Sequence, residues 1–323
     1  MEERHVTLAR VSQEWLNMKK LVVKQSTFAK YYSIIRRHIL PELGSLPLEQ
    51  VNSSTINDFT SHKLGICVQL EENSDGLYGH PMNAKTVRDI CTILKSIIKY
   101  GESEYHLPDL AGNTVLPKVK HQNKDVLSVR ELKKIEAYLW SRQQNCRCAG
   151  LLLCLYTGIR LGEICALQWR DIDIHRRIIY INRTIQRVTV TDLQAATRTQ
   201  IITDEPKSLS SIRFIPIPNK IFPMLQELKK RARREFYFLT NHDGYLEPRT
   251  YQYFFKRTLE NAQMRRVNFH ALRHTFATRC VEVGMDVKTL SELLGHSNVN
   301  ITLGYYVHSS LESKRRQINM LKL

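Results

Sequence analysis

"FHALRHTFATRCVEVG", residues 269–284, sets His270, Arg273 and His274 close together at the start of a stretch whose apolar spacing predicts a helix. His270 and Arg273 stand at i and i+3, so both project from one face, while Leu272, Phe276 and Cys280 form an apolar stripe toward a core. On the polar side of the first turn, the pair can offer an imidazole and a forked guanidinium to a single phosphate. A histidine that merely caps the helix is the plainer reading, and the flanking sequence decides between the two.

Downstream, "LLGHSNVNIT" (residues 293–302) places Gly295 as a helix-ending residue and His296 at the junction after it. Two adjacent tyrosines, Tyr305 and Tyr306, follow nine and ten residues beyond His296. Upstream, in "LYTGIRLGEICAL" (residues 155–167), Gly158 is read as breaking one helix and Arg160 as opening the next, beside N–H groups that favour anions. Lys207 lies in "DEPKSLSSIRFIPIP" (residues 204–218), in the turn expected before the last strand. Taken singly, each of these has an ordinary structural explanation: a surface arginine, a solvated lysine, packed tyrosines.

The chain has 323 residues, enough for two domains with separate cores. Its 42% hydrophobic and 24% charged residues are those of an ordinary globular protein. Apolar runs fall short of the roughly 18 to 20 residues that span a bilayer, and "MEERHVTLAR" is too polar for a signal peptide, so an intracellular protein is expected. The seven cysteines include no C-x-x-C pair and suggest reduced thiols, with neither metal site nor disulfide framework. The formal net charge is +17. Residues 1–120 carry 15 Lys and Arg against 13 Asp and Glu, so the excess belongs to the C-terminal part. That excess points to a polyanion, nucleic acid before any membrane surface.

Four helical stretches fill the first hundred residues, with Ser26, Ser53 and Asn83 as N-caps and Pro41 with Gly44 ending the second. Two prolines, a glycine and a basic run between Leu107 and Asp125 read as a linker. Beyond it comes a helix capped by Ser128 with Glu131, a capping box. Short alternating runs, "DIDI", "RIIYINRTI" and "SIRFIPIP", predict a small antiparallel sheet, and the chain then returns to helices. The expected fold is mainly α with a small antiparallel β-sheet, in three parts: a helical domain over 1–110, a linker over 111–125 and a second domain over 126–323.

In order and spacing, "TGIRLGE", Lys207, "HALRH", "LLGHSNVNIT" and "YYVH" resemble the tyrosine recombinases of the phage-integrase family, including conjugative-transposon integrases and Xer-type recombinases. The resemblance implies a two-domain DNA clamp, with a core-DNA-binding domain and a catalytic domain. It implies a site-specific recombinase or integrase that cuts and rejoins DNA strands through a 3′-phosphotyrosine, for integration and excision of a mobile element. Arg160, Arg273 and His296 would grip the scissile phosphate, His270 would act as base and Lys207 as acid for the leaving 5′ oxygen. Glu163 would support a neighbouring basic side chain. Tyr306 is taken as the nucleophile because Thr302, Tyr306 and His308 fit the family's T-x-x-x-Y-x-H ending; Tyr305 is its rival.

No cofactor or metal is implied. The implied partners are double-stranded DNA and three further copies of the chain, a homotetramer in which the tail "SSLESKRRQINMLKL" (residues 309–323) passes to a neighbour. Accessory DNA-bending or directionality proteins are also implied, as is work at the nucleoid in a prokaryotic cytoplasm. The stretch before the "VTLARVSQEWL" helix is too short for the arm-binding domain that integrases of phages and conjugative transposons often add, which leaves open either a sequence from which that domain is missing or a simpler recombinase of the Xer type. A type IB topoisomerase and a DNA-binding regulator that has lost catalysis are the alternatives.

Overall fold

The computed structural model describes residues 6–65, 81–119, 125–191, 197–204 and 211–306, together with Arg315, Ile318 and Asn319. The chain divides into two compact units, Met1–Gln122 with Val188–Gln200, and Asn123–Arg187 with Ile201–Leu323.

The first unit is helical: α1 (Leu8–Val22), α2 (Gln25–Ile34), a π-turn (Ile35–Ile39), α3 (Leu40–Leu43), α4 (Ser53–Leu64) and α5 (Ala84–Glu104). Trp15, Ile35, Ile39, Phe59, Ile90, Leu94 and Ile97 are its buried centre. Gly44 ends the second helical run as its C-cap, but Pro41 does not. The proline falls in the first turn of α3 within a continuous helical run, and the π-turn just before it accommodates the bond that its missing N–H cannot make. Asn83 caps α5 as predicted, accepting from Lys85 N–H. Asn52 rather than Ser53 caps α4, accepting from two amides, and α2 starts after Lys24 with no side-chain cap. Part of the stretch read as a linker packs on this unit, with Ala111 buried in the cluster and Val115 N–H donating to Asn57 Oδ1 at 3.1 Å.

The second unit starts with α6 (Val129–Trp140), where the Ser128–Glu131 capping box is formed. Next come α7 (Cys146–Thr157) and α8 (Leu161–Ala166). Strands β1 (Ile172–Asp173) and β2 (Ile178–Ile181) pair antiparallel, and β5 (Arg213–Pro216) pairs antiparallel on the other side of β2. A second sheet joins β3 (Thr184–Thr189) to β4 (Thr199–Asp204). Strand β4 lies in a stretch expected from sequence to be turn residues between strands. The helices α9 (Phe222–Lys229), α10 (Pro248–Asn261), α11 (His270–Glu282), α12 (Val287–Leu294) and α13 (Val299–Tyr306) follow. The core centres on α7, whose Leu151, Leu152, Leu153 and Cys154 are buried among Trp169, Phe238, Tyr251 and Leu272. The six described cysteines are unpaired, and burial raises the pKa of each thiol. No helix among the described residues is long and apolar enough to cross a membrane.

Candidate active site

Arg160 is the N-cap residue of α8, and its amide donates to Glu163 Oε2 at 2.9 Å. Its guanidinium donates through Nη1 to Glu163 Oε1 at 2.7 Å and through Nη2 to the Gly295 carbonyl at 2.7 Å. The cation therefore lies between the first turn of α8, which it meets through Glu163, and the C-terminal end of α12, which the sequence did not signal. The electrostatics favour this arrangement, because the last carbonyls of a helix carry partial negative charge. The side chain stays 32% exposed.

Arg273 departs from the sequence analysis in the opposite way. Instead of projecting with His270 from a polar face, it is only 2% exposed. Its Nη1 donates to the Gly158 carbonyl at 2.8 Å and its Nη2 to the Leu294 carbonyl at 2.7 Å. Gly158 and Gly295 end α7 and α12 in left-handed conformation, so two helix C-termini supply the negative end that a buried cation needs. Arg273 thus ties the turn that leads into Arg160 to the turn that leads into His296.

His296 follows Gly295; its amide donates to Ser291 O at 3.0 Å, and its Nδ1 shares a 2.8 Å hydrogen bond with Thr302 Oγ1. Thr302 is fully buried and lies one helical turn before Tyr306 on α13. His270 is exposed as the first residue of α11, its ring 4.5 Å from that of His274 and perpendicular to it. Leu272 and Cys280 are buried and Phe276 partly so, as the predicted stripe requires. Lys207 lies outside the described residues, as do the side chains of Tyr305 and Tyr306 and nearly all of the tail over 309–323; Ile318, within that tail, is exposed.

Glu163 joins these parts. Besides the two bonds from Arg160, it receives Arg213 Nη1 on Oε1 at 3.0 Å and Arg213 Nη2 on Oε2 at 2.8 Å. Burial pushes its carboxyl upward, but the hydrogen bonds and charge of Arg213, with those of Arg160, outweigh this and bring it down to about 2. Arg213 also donates from Nε to the Leu293 carbonyl at 2.6 Å. Sequence reasoning missed Arg213, although the alternation of "RFIPIP" carried a signal: Arg213 and Ile215 share the buried face of β5, Ile217 just beyond it is buried too, and Phe214 is exposed.

Comparison with known proteins identifies the family of the chain. The description "Phage integrase family" matches residues 125–313, and "Phage integrase, N-terminal SAM-like domain" matches residues 7–64. A "Tyrosine recombinase XerC-like" protein of Caldanaerobacter subterraneus subsp. tengcongensis is 29% identical over 340 residues, covering 98% of this chain and 83% of its own. The transposase from transposon Tn916 of Enterococcus faecalis is 25% identical over 53% of this chain and 44% of its own. Among solved structures, the Tn1549 transposon integrase in complex with a circular intermediate DNA superimposes with a TM-score of 0.76 at 20% identity, over 98% of this chain and 99% of that one. A lambda integrase dimer bound to a COC′ core site gives 0.65 at 18% identity, over 95% and 97%. At those identities the structural likeness is one of fold.

Proposed function

Because the chain belongs to the phage integrase family and is a tyrosine-type site-specific recombinase, we propose that it opens and reseals double-stranded DNA through Tyr306. The Tyr306 oxygen attacks the scissile phosphorus, the bond from phosphorus to the 5′ oxygen breaks, and the 3′ phosphate stays on the tyrosine. A 5′ hydroxyl of a partner strand then attacks the same phosphorus and releases the tyrosine, so the phosphodiester count is conserved. His270 takes the tyrosine proton, and Lys207 returns one to the leaving 5′ oxygen. The half-exposed Arg160 and His296 meet the nonbridging oxygens, while Arg273 adds charge from beneath and fixes both turns. The protein cations provide the charge stabilisation, so cleavage persists in EDTA.

The observation that supports this reading is the convergence of Arg160, Arg273 and His296 on one turn through the carbonyls of Leu294 and Gly295. DNA as partner follows also from the excess charge of +17. Assembly as a homotetramer with exchange of residues 309–323, help from DNA-bending or directionality proteins, a place on a mobile element and work at the nucleoid in the cytoplasm belong to the same proposal. So does the division into a core-binding domain over 1–110, a linker over 111–125 and a catalytic domain over 126–323.

The test uses nicked suicide duplexes tiled from the DNA on either side of the chain's own coding sequence, incubated in EDTA and resolved on a denaturing gel. A covalent adduct lost in Tyr306→Phe and kept in Tyr305→Phe supports the assignment. Loss in Tyr305→Phe alone moves the nucleophile by one residue. DNA binding without any adduct in the wild type makes the chain a regulator instead.

A further inference from the structure

Three successive carbonyls at the end of α12 each receive a different arginine. Leu293 O accepts from Arg213 Nε at 2.6 Å, Leu294 O from Arg273 Nη2 at 2.7 Å and Gly295 O from Arg160 Nη2 at 2.7 Å. These are the carbonyls that a helix end leaves without intrahelical partners, and His296 is the next residue along. The turn that presents His296 is therefore held by side chains arriving from β5, α11 and the start of α8.

Glu163 adds a second link. Both of its oxygens are occupied by the Arg213 fork, and both also bond Arg160. Two guanidiniums sharing one carboxylate keep a net charge of one cation, and only Arg160 of the two is open enough to spend it on a ligand: its side chain is 32% exposed against 5% for that of Arg213. Were Arg213 absent, the carboxylate would belong to Arg160 alone, and the pair would be neutral toward a phosphate. Packing does not explain an arginine here. Its neighbour on the same face of the strand is Ile215, with Ile217 buried just beyond the strand's end, and an apolar side chain would avoid the desolvation cost of a buried guanidinium.

We propose that Arg213 is a positioning residue for strand cleavage, which holds Glu163 off full neutralisation of Arg160 and clamps the Leu293 carbonyl so that His296 is presented correctly. The inference rests on the recombinase reading above and adds to it a residue that need not touch DNA.

The experiment measures single-turnover adduct formation at saturating suicide duplex, DNA affinity by gel shift, and thermal stability. It compares wild type, Arg213→Met, Arg213→Lys and the double variant Arg213→Met/Glu163→Gln. Arg213→Met is expected to slow cleavage about 100-fold with DNA affinity changed less than about three-fold, since the lost term acts on the developing charge. Arg213→Lys, whose single ammonium cannot span the carboxylate and the Leu293 carbonyl as a fork does, is expected to lose about ten-fold. Adding Glu163→Gln to Arg213→Met should recover about ten-fold, because Arg160 regains its free charge; a purely structural role gives no such recovery. A wild-type rate in Arg213→Met, or a double variant no faster than the single one, overturns the proposal. If Arg213→Met does not fold, Arg213→Lys decides: a wild-type rate overturns the proposal, and a rate about ten-fold lower at unchanged affinity supports it. If the wild type forms no adduct on any duplex, the recombinase reading falls and takes this inference with it, whereas full cleavage by Arg213→Met removes this inference alone.

Discussion

Arg273 and Gly158, 115 residues apart in sequence, are joined by a 2.8 Å hydrogen bond from a buried guanidinium to the carbonyl of the left-handed residue that ends α7. With the second bond to Leu294, one side chain sets the distance between the turn carrying Arg160 and the turn carrying His296. A lysine keeps the charge but has one nitrogen for two carbonyls that lie on different helices. Arg273→Lys should therefore lose about 2 kcal/mol of stability, the cost of one buried charged hydrogen bond, and slow cleavage at least about 100-fold. Urea unfolding and single-turnover cleavage measure the two effects separately.

Glu163 makes stability depend on acid in a defined window. Its carboxyl titrates at about 2 in the folded chain, against an ordinary value of 4.5. Between those values the unfolded chain binds the proton and the folded chain does not, so stability rises with pH there. The contribution, about 3 kcal/mol, is complete above roughly pH 5 and is lost as pH falls through about 2. Urea midpoints taken at pH 7, 4 and 3 should fall more steeply for wild type than for Glu163→Gln; parallel curves would show that the carboxylate is not held by its two arginines.

The linear order of motifs was legible because each depends on local spacing: the glycines that end α7 and α12, the Ser128 capping box, and the tyrosines beyond His296. The direction of side chains was not. Placing Arg273 on a polar face assumes an amphipathic helix, but Ala271, Leu272, Arg273, His274 and Thr275 are all buried, so α11 has little solvent face in its first turns. A polar residue on such a helix must find partners inside, and those partners are carbonyls far away in sequence. Arg213 was hidden for the same reason. Only the inward register of its strand marks it, and its partners Glu163 and Leu293 stand 50 and 80 residues away. Where α2 runs on into α3, the apolar pattern marks the helix but Pro41 does not stop it, because the π-turn before it accommodates the missing donor.

Two glycines with positive φ separate backbone strain from packing. At Gly158, φ +66°, an added Cβ would lie 2.6 Å from Phe276 Cδ1 and 2.8 Å from Leu294 Cδ2. At Gly284, φ +88°, the same atom meets nothing within 4 Å. Gly284→Ala should cost about 1 kcal/mol, the conformational term alone. Gly158→Ala should cost roughly 2–4 kcal/mol, because overpacking adds to it, and should also slow cleavage by displacing the carbonyl that Arg273 holds. Equal losses in thermal melts of the two variants would contradict the packing seen around Gly158.

Thr302 is fully buried, and its Oγ1 lies 2.8 Å from His296 Nδ1, so the ring is tied to the helix that ends at Tyr306. The hydrogen bond fixes which ring nitrogen faces away from α13, and it does so whether the hydroxyl donates to a neutral ring or accepts from a charged one. Valine matches threonine in shape and deletes only the hydroxyl. Thr302→Val should then leave DNA affinity within about two-fold, lower stability by about 1 kcal/mol and slow cleavage about 10- to 100-fold, since His296 is free to turn. Thr302→Ser restores the hydroxyl without the methyl and should cleave within about three-fold of wild type at the cost of a small cavity. The pair of variants distinguishes orientation of His296 from packing of α13: a valine variant that cleaves like wild type would show that the hydrogen bond has no part in cleavage, and a serine variant as slow as the valine one would show that the hydroxyl alone does not suffice.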